Sequence, residues 1–283
     1  MFELPIGEVF ENIVNWMTDN WEPFFDGINW FVAFIVSSLE GLFLLPPPLV
    51  MIAILGFLGW FVAGRGVGIF TLIGLFIVDT MELWPETMET LALVISSAFI
   101  ALLIGIPLGI WAAKNNVVNK VLRPILDFMQ TMPAFVYLIP AVLFFGLGKV
   151  PGAVATIIFS MPPVVRLTNL GIRQIPKEVI EASQAFGSTG AQELFKVEIP
   201  LATPTIFAGI NQTIMLSLSM VVISSMIGAG GLGGKVLSGI TQYKIGLGFE
   251  SGIAVVILAM VLDRITQALG KKKKKKSLRR NDS

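Results

Sequence analysis

The run 228-GAGGLGGKV-236 sets a lysine behind a string of glycines, the arrangement of a loop that cradles phosphate in its backbone N–H groups. Such a loop needs a glycine, four residues, then Gly-Lys and a Ser or Thr whose hydroxyl holds magnesium. Here Ala229 stands where the first glycine belongs and Val236 follows Lys235, so the nucleotide-binding reading fails. Gly228, Gly230, Gly231 and Gly233 read instead as a re-entrant turn that lets helices pack closely, or as a gate near the mouth of a pathway. Other chemistries lack their usual residues. The 283 residues include no cysteine and no histidine, which supply most zinc ligands, thiol nucleophiles and neutral-pH proton shuttles, so neither a metal site nor a catalytic residue is expected. The strongest apolar stretches hold almost no ionisable side chain before Asp263 and Arg264, a pair that reads as a salt bridge at the end of the last one. An intramembrane enzyme would lack its acid–base constellation.

The elements that must position any site are membrane spans. The chain is 54% hydrophobic and 14% charged, against about 25% charged in ordinary soluble domains. Its mean hydropathy is +0.80. A formal charge of +1 gives no sign of a polyanionic partner, but 271-KKKKKK-276 with Arg279 and Arg280 gathers positive charge into the C-terminus. Lys271, Lys272, Lys273, Lys274, Lys275 and Lys276 are expected either to contact anionic lipid, at about 1 kcal/mol each, or to act only as a topology anchor. The N-terminus, 1-MFELPIGEVF, is acidic and lacks the basic front of a cleaved secretory signal.

A spanning helix needs roughly 20 apolar residues. Residues 90–113, 132–148, 150–166, 203–228 and 249–269 meet this well or nearly, and 47–64 and 67–83 more weakly, joined at 64-GRGVG-68. Residues 7–20 have amphipathic spacing at Val9, Phe10, Ile13, Trp16 and Met17 and are expected to lie flat at the interface. Lysine and arginine favour the cytoplasmic side. Lys114, Lys120 and Arg123 mark one cytoplasmic loop; Arg166, Arg173, Lys177 and Lys196 mark a second; the lysine tail places the C-terminus inside. Lys235 and Lys244 run against this scheme. Seven spans result if 28–45 is interfacial or re-entrant, and eight if it crosses. The chain divides into an N-terminal interfacial segment (1–45), extra spans (46–84), a core (85–269) and a basic tail (270–283). No internal duplication is visible, so a two-fold pathway implies a dimer.

Within the core, residues 167–202 are a charged island holding Arg173, Lys177, Glu178, Glu181, Glu193, Lys196 and Glu198. One charge at the bilayer centre costs about 2.5–3.5 kcal/mol, so the island must protrude into the cytoplasm. Pro176 opens a short helix that Gly187 ends, and Ser188 or Thr189 caps a second that Pro200 and Pro204 stop. Apolar groups such as Val179, Phe186 and Phe195 within it ask for a partner.

This island resembles the cytoplasmic signature of permease subunits of bacterial ABC importers: Glu-Ala-Ala, three residues, Gly, nine residues, then Ile-any-Leu-Pro. Here stand Glu181-Ala182-Ser183, three residues, Gly187, nine residues, then Val197-Glu198-Ile199-Pro200, with Ser183, Val197 and Ile199 as small or isosteric departures. The resemblance implies a type I ABC importer permease fold, all-α and polytopic, with a five-helix core. It also implies that Glu181, Ala182, Ser183, Ala185, Phe186, Gly187, Phe195, Ile199 and Pro200 dock on a cytosolic ATPase. The stretches 82–113, 127–152, 161–182 and 224–234 are similar to permeases of glycine betaine and proline betaine importers.

That similarity implies a homodimer in the bacterial cytoplasmic membrane, with two ATPase subunits holding the ATP and magnesium and an external substrate-binding protein. This chain itself would carry no cofactor and do no enzymatic chemistry. Aromatic faces hold quaternary ammonium groups, which makes Phe135, Tyr137, Phe144 and Phe145 candidates for the pathway, along with the polar Asn211, Gln212, Ser217 and Ser219. Choline, carnitine or proline as the solute, and a self-sufficient gated channel, stay open as alternatives.

Overall fold

The computed structural model describes residues 6–281, with the backbone alone for Ile6, Phe10 and 271–281. Every regular element among them is a helix, the form that satisfies backbone N–H and C=O groups where no water reaches. In chain order these are α1 (Ile6–Asn20), α2 (Glu22–Leu44), α3 (Pro48–Ala63), α4 (Arg65–Thr80), α5 (Trp84–Lys114), α6 (Asn116–Thr131), α7 (Leu138–Phe145), α8 (Lys149–Arg173), α9 (Lys177–Ala185), α10 (Gly190–Glu193), α11 (Ile199–Ser224), α12 (Gly231–Thr241) and α13 (Ile245–Asn281).

Helices α5, α8 and α11 form the centre. Small residues let them approach closely, the usual solution where lipid gives no hydrophobic drive between helices. A side chain on Gly109 would come within 2.7 Å of the Val165 carbonyl oxygen, and one on Gly209 within 3.1 Å of Val164 Cα. Leu93, Val94, Val221 and Leu218 fill the interior, and Leu258 from α13 and Val36 from α2 join them.

Five segments are long and apolar enough to cross a bilayer: Glu22–Leu44, Trp84–Lys114, Lys149–Arg173, Gly190–Ile227 and Ile245–Gly270. Asn116–Thr131 with Ala134–Phe145 makes a sixth if a pair bent by 110° counts as one span. Residues 28–45, interfacial or re-entrant in the seven-span reading, thus belong to a 23-residue helix of spanning length. Helices α3 and α4 have 16 residues each, or about 24 Å, short of a core of roughly 30 Å.

Two further expectations change. Residues 132–148 are not one helix: Met132 is extended, Ala134–Tyr137 form a 3₁₀ turn, and α7 has only eight residues. Pro133 explains the break, because it pushes the residue before it out of the helical region and brings no N–H. Pro200 and Pro204 do not stop a helix. A wide π turn at Leu194–Glu198 carries the chain from α10 into α11, with Pro200 in its first turn and Pro204 inside it. The looser turn accommodates the missing N–H.

Candidate functional site

Local sequence shapes the 176–200 loop before any packing does. Pro176 caps α9, and Gly187 ends it in the left-handed region at φ +79°, where a residue without Cβ pays no steric penalty. The turn is closed by Gly187 N–H on the Gln184 carbonyl (2.8 Å) and Ser188 N–H on that of Ser183 (3.2 Å). Thr189 then opens α10 with a reciprocal pair: its hydroxyl accepts from Gln192 N–H (3.3 Å), and Gln192 Oε1 accepts from Thr189 N–H (3.0 Å).

A single lysine makes the ion pairs that tie this elbow to the bundle, beside Leu194, which packs against Ile172, Ala202 and Ile206. Lys114, at the end of α5, donates from Nζ to Glu193 Oε1 at 3.1 Å and to Glu198 Oε1 at 2.7 Å. Gln184 of α9 donates to the other oxygen of Glu193 at 2.9 Å. Glu198 is 5% exposed and Glu193 is buried with it, and carboxylates this far from water need such partners. One ammonium therefore gathers α5, α10 and the π turn, and Glu193 brings in α9. The island does not protrude as a whole: two of its acids turn inward. Above this fixed base the tip is bare. Phe186 is 91% exposed and Phe195 67%, and nothing lies within 4 Å of where a Gly187 side chain would sit. Glu181, Ala182, Ala185 and Pro200 are exposed too, Ile199 is half-buried, and Ser183 is buried beneath. From sequence Lys114 is only a marker of the cytoplasmic side and Gln184 carries no signal; their contacts with Glu193 and Glu198 come from the fold.

The eight pathway candidates scatter. Tyr137 is 4% exposed, its hydroxyl donates to the Met129 carbonyl, and its ring packs edge-on against Phe159. Phe144 stacks on Phe25 of α2 at 4.4 Å, and Phe145 meets the same ring edge-on at 5.8 Å. Three of the four aromatics are thus occupied within the chain, and Phe135 alone among the four is exposed. On α11, Ser217 is buried. Asn211 donates to Asp263 Oδ1 (3.0 Å) and accepts from Thr266 (2.7 Å). Gln212 and Ser219 lie on the exposed face with Leu201 and Ala208. Asp263 also takes two bonds from Gln267 (2.9 and 2.8 Å), so its partners are amides one turn away and across the helix interface. The expected Asp263–Arg264 bridge is absent among the described residues, because adjacent residues on a helix point in different directions.

At the opposite end of the bundle, the glycine-rich turn is threaded against α5. Gly228, Gly230 and Gly231 have φ of +86°, +81° and +65°. Gly231 N–H donates to Glu89 Oε2 (3.0 Å) and Leu232 N–H to Thr90 Oγ1 (2.8 Å). A side chain on Gly231 would lie 2.5 Å from that Thr90 oxygen, and one on Gly233 would lie 2.7 Å from the Val222 carbonyl oxygen. Lys235 pairs with Glu86 (2.9 Å), and Lys149 pairs with Glu40 of α2 (2.7 Å) and Glu89 (3.6 Å). Glu40 is legible in sequence as a charge within an apolar run and Glu86 and Glu89 as part of the acidic stretch 79–89, but their pairing with Lys149 and Lys235 is not. The side chains of Lys271 to Lys276 lie outside the described residues.

A bent helix pair, three close-packed central helices and an elbow slung from their end define a class. Inward-facing structures of the MetNI methionine ABC transporter share the fold, one at a TM-score of 0.60 over 68% of this chain and 98% of that one, at 24% identity. An amino acid ABC transporter shares it at a TM-score of 0.51 and 21% identity, covering 72% of this chain and 98% of that one. These likenesses establish an ABC importer permease fold.

The chain belongs to the binding-protein-dependent transport system inner membrane component family, matched over residues 105–275. It is thus a multi-pass transport subunit of the inner membrane. It is 52% identical over 272 residues to the glycine betaine transport system permease protein OpuAB of Bacillus subtilis (strain 168), covering 96% of each chain. It is 51% identical to the glycine betaine/carnitine transport permease protein GbuB of Listeria monocytogenes, covering 96% of this chain and 97% of that one. With the glycine betaine/proline betaine permease ProW of Escherichia coli (strain K12), identity is 46% over 98% of this chain and 78% of that one.

Proposed function

We propose that this chain is the permease subunit of an ATP-driven importer of glycine betaine and related quaternary amines. Two copies form the pathway, and the 176–200 elbow of each engages a cytosolic ATPase, which alone binds ATP and magnesium; an external binding protein delivers the solute. The observation that carries the reading is mechanical. The elbow has a base fixed through Lys114 and an apolar tip, Phe186, with no cover in its own chain, which is the form a transmitted push requires. The coupling end, with Lys114, Arg166 and Arg173, then faces the cytoplasm, and so does the C-terminus. Near-full-length relatives at 46–52% identity carry glycine betaine in their names, whereas a choline permease matches at 31% over 65% of this chain. Betaine is therefore favoured over choline. Gln212 and Ser219, on the uncovered face of α11, suit the wall of a route between two copies.

Co-purification and a solute panel test this. The reconstituted complex should retain its ATPase, and glycine betaine should stimulate hydrolysis above choline, carnitine and proline. Glu181→Lys with Gly187→Trp should abolish both retention and stimulation. Ion conductance by the permease alone, without bound ATPase, would establish a gated channel instead.

A further inference from the structure

The elbow is not the only feature at its end of the bundle. Between α6 and α8, floored by the end of α5, lies a cleft of about 350 Å³ whose lining includes Arg123, Arg166 and Arg173. Arg166 pairs with Asp127, leaving a net charge of +2 from these four groups. Arg173 is fixed: Nε donates to Asn169 Oδ1 (2.9 Å) and Nη2 to the Ala112 carbonyl (2.8 Å), while Asn169 in turn donates to Asn119 of α6 (2.6 Å). A guanidinium has five N–H donors, so Arg173 is held in place with donors to spare. Arg123 has no ion pair or hydrogen bond among the described residues. The rest of the lining is apolar: Leu122 and the exposed Leu170 at the surface, with Leu126 and Val165 buried behind them.

Two positive groups beyond internal balance, planar forks with free donors, and an adjoining apolar wall match an anion that carries hydrocarbon. Arginine pairs bidentately with phosphate oxygens, and basic pockets between membrane helices take anionic head groups. We propose that this cleft binds the phosphate of an anionic phospholipid, with Arg123 and Arg173 as the contacting forks. A free phosphate would satisfy the same arginines but leave the apolar surface of Leu122 and Leu170 unused. The proposal does not depend on which solute is carried or on how the elbow docks.

Native mass spectrometry of the complex, purified in mild detergent from membranes containing phosphatidylglycerol, tests it on the full chain. The wild type should retain phosphatidylglycerol in preference to phosphatidylcholine. Arg123→Gln, which breaks no bond seen in the structure, should lower retention about fivefold, the worth of one cation at an anionic surface. Arg173→Gln should lower it similarly, and Lys177→Gln, at the same end outside the cleft, should not. All variants keep the lysine tail, so its lipid contacts cancel. A second arm measures radiolabelled inorganic phosphate binding in phosphatidylcholine nanodiscs. Arg123-dependent phosphate binding without lipid preference assigns the site to the free ion. Lipid retention without it assigns the head group. If Arg123→Gln changes neither arm, the proposal is overturned.

Discussion

The two ends of the α5–α8–α11 bundle are fastened in opposite ways. At the elbow end, one lysine meets two buried carboxylates and the fold ends in a bare aromatic tip. At the other, Lys149 and Lys235 meet Glu40, Glu86 and Glu89 in half-exposed pairs, and the glycine-rich turn closes through backbone N–H groups with little space left over. One end ties its elbow through one lysine and two buried carboxylates beneath an uncovered aromatic. The other spreads its hold over many weak ties, which can be exchanged one at a time.

The largest effect should come from the bare tip. Phe186→Ala removes an exposed aromatic that touches little in its own chain, so thermal unfolding of the permease should shift by less than about 0.5 kcal/mol. A docking anchor of this type is worth about 2–4 kcal/mol, so ATPase retention and betaine uptake should fall by at least about thirtyfold. Equal loss of folding stability and of retention would mean that the tip is packed, not presented, and the contrast between the ends would vanish.

Next comes the pin. Lys114→Ala leaves Glu193 and Glu198 buried without a cation. Breaking a buried pair by removing one partner costs about 3–5 kcal/mol, and because the lysine side chain is 39% exposed water offsets part of this, leaving about 2–3 kcal/mol. Lys114→Arg should recover most of it. The informative readout is the ratio of ATP hydrolysed to solute carried. If the lysine fixes the elbow to α5, the alanine variant that still assembles should hydrolyse ATP with less transport per turnover. An unchanged ratio would reduce the pin to a stabilising contact.

How much of this the sequence disclosed depends on the range of the interaction. The elbow was legible because its determinants are local: Pro176 before a helix, Gly187 where only a positive φ closes the turn, Thr189 three residues before Gln192. The long spans were legible from uninterrupted apolar runs. The break at Met132–Pro133 was visible as prolines but not as a bend, because apolar content over 132–148 says nothing of direction. Lys114 and its two acids are 79 and 84 residues apart, and no pattern along the chain pairs them. The packing of three of the aromatic candidates was hidden for a related reason. A membrane phenylalanine looks the same whether it lines a cavity or stacks on a neighbour, and Phe25, the neighbour of Phe144, is 119 positions away.

The smallest effect, and the finest test of the comparison, is at the spread end. Lys149 is about as exposed as Lys114, but its partners Glu40 and Glu89 are 20% and 27% exposed against 10% and 6% for Glu193 and Glu198, and pairs open to water are worth about 0–1 kcal/mol. Lys149→Ala should therefore lower stability by no more than about 1 kcal/mol, well below the change at Lys114. Salt separates the two ends further. At 1 M ionic strength the screening length is about 3 Å, so the open pairs lose most of their attraction while the Lys114 cluster, with its two buried carboxylates, keeps more of its own. High salt should erase the difference between wild type and Lys149→Ala and leave most of that between wild type and Lys114→Ala. If both differences fade together, the elbow's pin is as open to water as the outer ties, and the two ends are built alike.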